Sequence, residues 1–123
     1  MFDDFEEPTV EMSQRRLKTS RKVAKASVTR KMIKITSLMC AVENANLVIV
    51  IESELDEAME NFYRAHDDYH RSLTKVKAQE ESVSYFTEQV KKCLDFKERI
   101  DQFHQQCVRI SPPAFYKIGR AHV

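Results

Sequence analysis

One glycine, no tryptophan and three prolines stand in a chain of 123 residues. Folds built on strands need many tight turns, and tight turns draw on glycine, so this scarcity argues against β and α/β architectures. The longest apolar run, Leu47 to Ile51, is far short of the ~20 residues that cross a bilayer, so no membrane span is expected. The first residues, Met1-Phe2-Asp3-Asp4-Phe5-Glu6-Glu7, are acidic where a secretory or mitochondrial signal would be basic, which points to an intracellular, cytoplasmic chain. The three cysteines, Cys40, Cys93 and Cys107, form no CxxC pair. Cys93 and Cys107 fall on one expected helix about 21 Å apart, too far to bridge, and free thiols in a reducing compartment follow.

What the chain has is charge and helix formers. About a third of it is charged, yet the net charge is only +1. The sum hides blocks. Residues 1–11 carry five acids and no base. Residues 12–34 carry nine bases and no acid: Arg15, Arg16, Lys18, Arg21, Lys22, Lys25, Arg30, Lys31 and Lys34. Residues 43–70 carry eight acids against Arg64 alone. Such segregation is a feature of interaction surfaces.

Apolar periodicity predicts three helices. Residues 1–11 read as a disordered acidic leader, with Pro8-Thr9 or Ser13 starting the first helix, at about 12–42. Its stripe is Leu17, Ala24, Val28, Met32, Ile35, Met39 and Val42, and the last five alternate by four and three residues. Asn44 and Asn46 mark a tight turn. The second helix, at about 47–73, carries Ile51, Leu55, Ala58, Phe62, Ala65, Tyr69 and Leu73 on one side. Its β-branched run Val48 to Ile51 is strand-like in composition. Thr74 to Lys77 is a weaker break with no glycine or proline, which leaves the second and third helices continuous or kinked. The third, at about 79–108, has Val83, Phe86, Val90, Cys93, Leu94, Ile100, Phe103 and Cys107 as its apolar side, and Ser111-Pro112-Pro113 ends it. The expectation is an all-α, elongated antiparallel hairpin or three-helix bundle with coiled-coil-like packing, followed by a disordered tail over 109–123. Its core is Val28, Met32, Ile35 and Met39 against Ile51, Leu55, Ala58, Phe62 and Tyr69, with Val83, Phe86 and Val90 as the third side. Leu94, Phe96, Phe103 and Ile110 fall on more than one face, which predicts self-association through the third helix.

Chemistry has few footholds. His66-Asp67-Asp68-Tyr69-His70 places two histidines one helical turn apart, the spacing zinc proteases use. Asp stands where their glutamate base would be, and two ligands do not close a zinc site, so no metal is expected. The ordinary alternative is a solvated helix edge. There is no phosphate-cradling glycine loop and no nucleophile elbow, and acid pairs such as Glu80-Glu81 lie on solvated faces. No enzymatic activity and no cofactor are expected. The basic block admits two readings. It is a candidate nucleic-acid contact, blind to sequence because no aromatics interleave it. Alternatively it is the electrostatic partner of the acidic second helix.

Read in order, these elements resemble a known family. Val28-Thr29-Arg30-Lys31-Met32 closes the resemblance in helix one. Helix two supplies Glu54-Leu55, Ala58, Phe62 and Ala65-His66-Asp67-Asp68-Tyr69-His70, and helix three opens with Glu81-Ser82, Ser84-Tyr85-Phe86. The series is similar to the N-terminal, Gag-like helical region of metazoan Pao/BEL-type retroelement polyproteins over roughly residues 9–106. The resemblance implies assembly or packaging, through self-association or a helical protein partner, and no catalytic residue. The family's zinc knuckle is absent from this stretch. The rival reading is a host coiled-coil or spectrin-like scaffold, though spectrin-type repeats usually bury a tryptophan. The closing Ile118-Gly119-Arg120-Ala121-His122-Val123 looks like a translated sequencing adapter, so the natural chain is expected to diverge from it after about Tyr116.

Overall fold

The computed structural model describes residues 10–110. Three α-helices run through them: α1 (Val10–Leu38), α2 (Ala45–Arg71) and α3 (Val76–Ile110), with a short 3-10 turn over Val42–Asn44. No strand occurs among the described residues. The expected leader and tail lie largely outside this range, as does the adapter-like end. Where they enter it they are helical, since Glu11 belongs to α1 and Arg109 to α3.

Contacts between helices fix their directions. Along α1, Gln14, Arg21 and Lys31 meet, in falling order, Ser72 at the C-terminal cap of α2 and His66 and Glu54 within it, so α1 and α2 are antiparallel. Ser82, Phe86 and Lys97 meet His70, Phe62 and Glu52 in the same reversed sense. The bundle is therefore up-down-up, and the 35 residues of α3 extend about 52 Å.

Both turns close without glycine, and no residue among those described has a positive φ. The first helix stops at Leu38, not at Val42 as its periodicity suggested. The backbone tightens there into three-residue bonds, Cys40 to Ser37 and Ala41 to Leu38, as helix ends commonly do. The Asn44 side-chain amide then adds a shorter bond to the same Leu38 carbonyl, at 3.0 Å, reinforcing the end of the helix. The second break is real. Ser72 Oγ donates to the Tyr69 carbonyl at 2.6 Å, while Gln79 and Gln14 donate to the Leu73 and Ser72 carbonyls at 2.9 and 2.7 Å. Buried Leu73 anchors the joint in the interior.

A single core joins the helices. From α1 only Val28 and Ile35 are fully buried, with Ala24, Met32, Leu38 and Met39 packed at its edge. The second helix gives most: Val48, Ile51, Leu55, Ala58, Met59 and Phe62. The strand-like run is helical, with Val48 and Ile51 inward and Ile49 and Val50 outward. From α3 come Cys93, Phe96, Ile100 and Phe103. This corrects the expected third side. Val83 is 53% exposed and Val90 only half-buried; Leu94 lies outside as expected, whereas Phe96 and Phe103, expected to be left over, are in the core. The inward face of α3 runs Ser82, Phe86, Gln89, Cys93, Phe96, Ile100, Phe103, Cys107, alternating four and three residues. Two of its positions are polar, which is why an apolar pattern slips one residue onto Val83 and Val90. Tyr69, also expected in the core, is only half-buried.

Backbones approach more closely between α1 and α2 than between α2 and α3. Side-chain size explains the difference. Alanines, Ala24 and Ala58, sit at the first seam, while Phe62, Tyr63, Tyr85 and Phe86 stack in the second at centroid separations of 5.5 to 6.5 Å.

Candidate nucleic-acid interface

The nine bases of α1 do not act as one block, because a helix distributes neighbouring residues around its axis. Arg21 turns inward. Its guanidinium lies 4.4 Å from the centroid of Tyr69 and 4.3 Å from that of Tyr85, and Nη1 donates to His66 Nδ1 at 3.2 Å. A guanidinium has no acceptor, so this bond leaves the His66 proton on Nε2. His66 in turn lies flat on Phe86, 4.0 Å away at 4°. Burial, then the nearby charge of Arg21, pulls its pKa down to about 4, so the ring is neutral at pH 7. The expected solvated histidine edge is thus a stacked, buried one. His70 is occupied too, with Nδ1 3.0 Å from Ser82 Oγ. Among the described residues no group of three His, Cys, Asp or Glu side chains is placed to hold a metal ion.

Lys31 also turns to α2, donating to Glu54 Oε1 at 2.7 Å and holding that carboxyl below its usual range. It is the one ion pair between α1 and α2 among the described residues. The acids of α2 are largely spoken for elsewhere. Glu52 and Asp56 both accept from Lys97 of α3, at 2.5 and 2.7 Å, and these bonds overcome burial to raise the lysine's pKa. His104 Nε2 is buried without a hydrogen-bond partner, with Glu52 at 3.6 Å. Glu60 pairs with Arg64, and Asp67 and Asp68 pair with Arg71, within α2 itself. The expectation that α2 neutralises α1 therefore holds at Lys31 as an ion pair and at Lys34 only as a weaker charge interaction with the same Glu54.

The rest of the basic block faces out. Arg15 carries a 3.7 Å contact with Glu11, both well exposed, and Lys25 donates to Thr29 at 3.3 Å. Arg16, Lys18, Lys22, Arg30 and Lys34 are exposed and make no ion pair among the described residues. They divide between two flanks. Lys25 lies toward α3, near enough to Cys93 for its charge to act on that thiol, and Lys18 and Lys22 share its flank by spacing. Arg15, Arg16 and Arg30 line a groove of about 800 Å³ on the α1–α2 face, together with Met12, Thr19, Ser20, Val23, Ser27 and, across the seam, Ala58 and Asn61. No α3 residue lines it. Sequence reading found the arginines but not Thr19, Ser20, Ser27 and Asn61. The signal was there in part, because Arg16, Ser20, Val23, Ser27 and Arg30 follow one another at four, three, four and three residues.

The thiols hold no redox pair. All three cysteines are free, and buried Cys93 lies beside Tyr63, whose hydroxyl is raised to about 12 chiefly by burial. No helix of the described residues is long and apolar enough to cross a membrane. No family model matches the chain, and no curated protein and no solved structure matches it either.

Proposed function

We propose that this chain is a non-enzymatic helical assembly module, the Gag-like segment of a retroelement polyprotein, which contacts nucleic-acid phosphates through α1. The observation that carries the phosphate contact is the outer face of α1: Arg16, Lys18, Lys22, Arg30 and Lys34 have no ion pair among the described residues, in a helix beside an acidic neighbour. Lysine and arginine clustered along one helix are the electrostatic footprint of phosphate binding. The resemblance in residue order supplies the retroelement part of the reading. The proposed setting is the cytoplasm, where free thiols persist.

A second reading, self-association through α3, is favoured by its outward valines and leucine. Val76, Val83 and Leu94 are each more than half exposed on one side of α3, with half-buried Val90 between them. Apolar residues gathered on one side of a surface helix commonly mark an interface. A host scaffold that takes a helical partner would use the same stripe. One experiment addresses both: sedimentation equilibrium over a wide protein range, with and without a labelled single-stranded RNA. Binding that ignores sequence and falls steeply with salt is expected, as is a rising mass with protein concentration. A chain that retains no RNA at low salt overturns the phosphate reading. A chain monomeric at high micromolar concentration overturns self-association.

A further inference from the structure

The polar side chains that line the groove between α1 and α2 are cationic or neutral. Arg15, Arg16 and Arg30 bring guanidinium donors, Ser20 and Ser27 hydroxyls, and Asn61 an amide from the opposite wall, while the Thr19 hydroxyl already donates to the Arg15 carbonyl at 3.0 Å. No carboxylate lines it, although α2 carries five acids between Glu52 and Glu60. Arg16 and Arg30 are 14 positions apart in α1, about 21 Å along the axis. The floor is shallow-walled because Ser20, Ala24, Ser27 and Ala58 are small, so a ligand chain sinks between the helices.

We infer that this groove is a track for the sugar–phosphate backbone of a single-stranded nucleic acid, with the three arginines as its phosphate clamps. The inference rests on the proposed phosphate contact and narrows it from the whole basic block to one face. Donors spread along the full length suit a ligand that offers acceptors along its full length, as a phosphodiester chain does. A docking helix has already spent its backbone acceptors internally and would leave the three guanidiniums without partners unless it also carried carboxylates. Met12 and Val23 are the only large apolar side chains the groove supplies. No aromatic ring lines it, so bases are not stacked and their identity is not read. Arg16 and Arg30 make no ion pair among the described residues, and the Arg15–Glu11 contact is long and solvated, so little must be broken for phosphates to enter.

The test compares two double substitutions that remove equal charge from the two flanks of α1. In one, Arg16→Gln and Arg30→Gln, the groove loses two clamps; in the other, Lys18→Gln and Lys22→Gln, the α3-side flank loses two lysines. The probes are oligouridylate and oligothymidylate of ~20 nucleotides, titrated by fluorescence anisotropy across a salt series. Removing two clamps should weaken binding roughly 25-fold at 0.1 M salt and make the salt slope shallower by about 1.4, since each single-strand phosphate contact contributes about 0.7. The lysine variant should also lose affinity, but several-fold less than the arginine variant and with a salt slope nearer the parent's, because its charges act from outside the groove; the two oligonucleotides should bind alike, because backbone contacts dominate. All four positions are exposed, so both variants should melt like the parent. Equal losses in the two variants, or none in the arginine variant, overturn the groove while leaving the basic helix as a phosphate binder. An acidic amphipathic peptide that binds the parent more tightly than either oligonucleotide overturns it in favour of a helical occupant. No oligonucleotide binding by the parent at low salt overturns the phosphate contact and the groove together.

Discussion

Arg21 and Lys97 are both cations drawn into a seam between helices, near opposite ends of the bundle, and they are held by different means. Arg21 sits between the rings of Tyr69 and Tyr85 and donates to a neutral imidazole. Lys97 bridges two carboxylates, Glu52 and Asp56. The contrast bears on function. Rings satisfy Arg21 without consuming an acid, and the acids of α2 that do bind a cation largely serve α3 or α2 itself. Arg16, Lys18, Lys22, Arg30 and Lys34 make no ion pair among the described residues although α2 is acidic, and most of the α2 carboxylates pair with α3 or within α2.

The largest effect should come from what both ends share. Phe62 is fully buried at the centre, with ring contacts to Tyr63, Tyr85 and Phe86. Phe62→Ala should cost about 3–5 kcal/mol in denaturant melts. A loss below about 1 kcal/mol would place the common core elsewhere.

Next comes the response to pH, where the two ends should fail in opposite directions. His66 has a folded pKa near 4 against an ordinary 6.5, so below 6.5 the unfolded chain takes up a proton that the folded chain refuses. Its contribution is present above pH 6.5 and is lost as pH falls toward 4, roughly 3 kcal/mol in all. A His66→Gln variant should show a flatter stability curve across that window, read as the midpoint difference between pH 7 and pH 4.5; an unchanged slope would detach His66 from the acid response. Lys97 has the mirrored sign. Its raised pKa gives stability that is present below the ordinary lysine value and lost as pH climbs through the folded one. Tyr63, raised to about 12, loses in the same alkaline direction from about 10 upward.

The smallest effect should come from Lys97→Met. The ammonium and Asp56 are partly solvated, so screening leaves about 1 kcal/mol or less at low salt, fading as salt rises. A loss as large as that of Phe62→Ala would mean that carboxylates, not packing, close this end.

Much of this bundle was legible in residue order. Apolar spacing placed α2 within two residues at each end, and Val28, Ile35, Ile51, Leu55, Ala58 and Phe62 are where periodicity put them. The third helix was harder, because Ser82 and Gln89 occupy inward positions that an apolar pattern skips. The nine bases were legible as a run but not by direction. That Arg21 points in depends on Tyr85, 64 residues away, and no local pattern encodes such a pairing. The groove was invisible for the same reason, since Asn61 joins it only after α2 folds back along α1.

The joint between α2 and α3 carries one more consequence, for the order in which the chain assembles. The Ser72 carbonyl at that joint is capped by Gln14, a residue 58 positions earlier, while Leu73 is capped by Gln79 just beyond. A cap drawn from so far back ties the start of α1 to the corner, so the corner cannot form its full set of bonds until α1 lies along α2. Assembly of the joint is in that sense a long-range event, although the turn itself spans only a few residues.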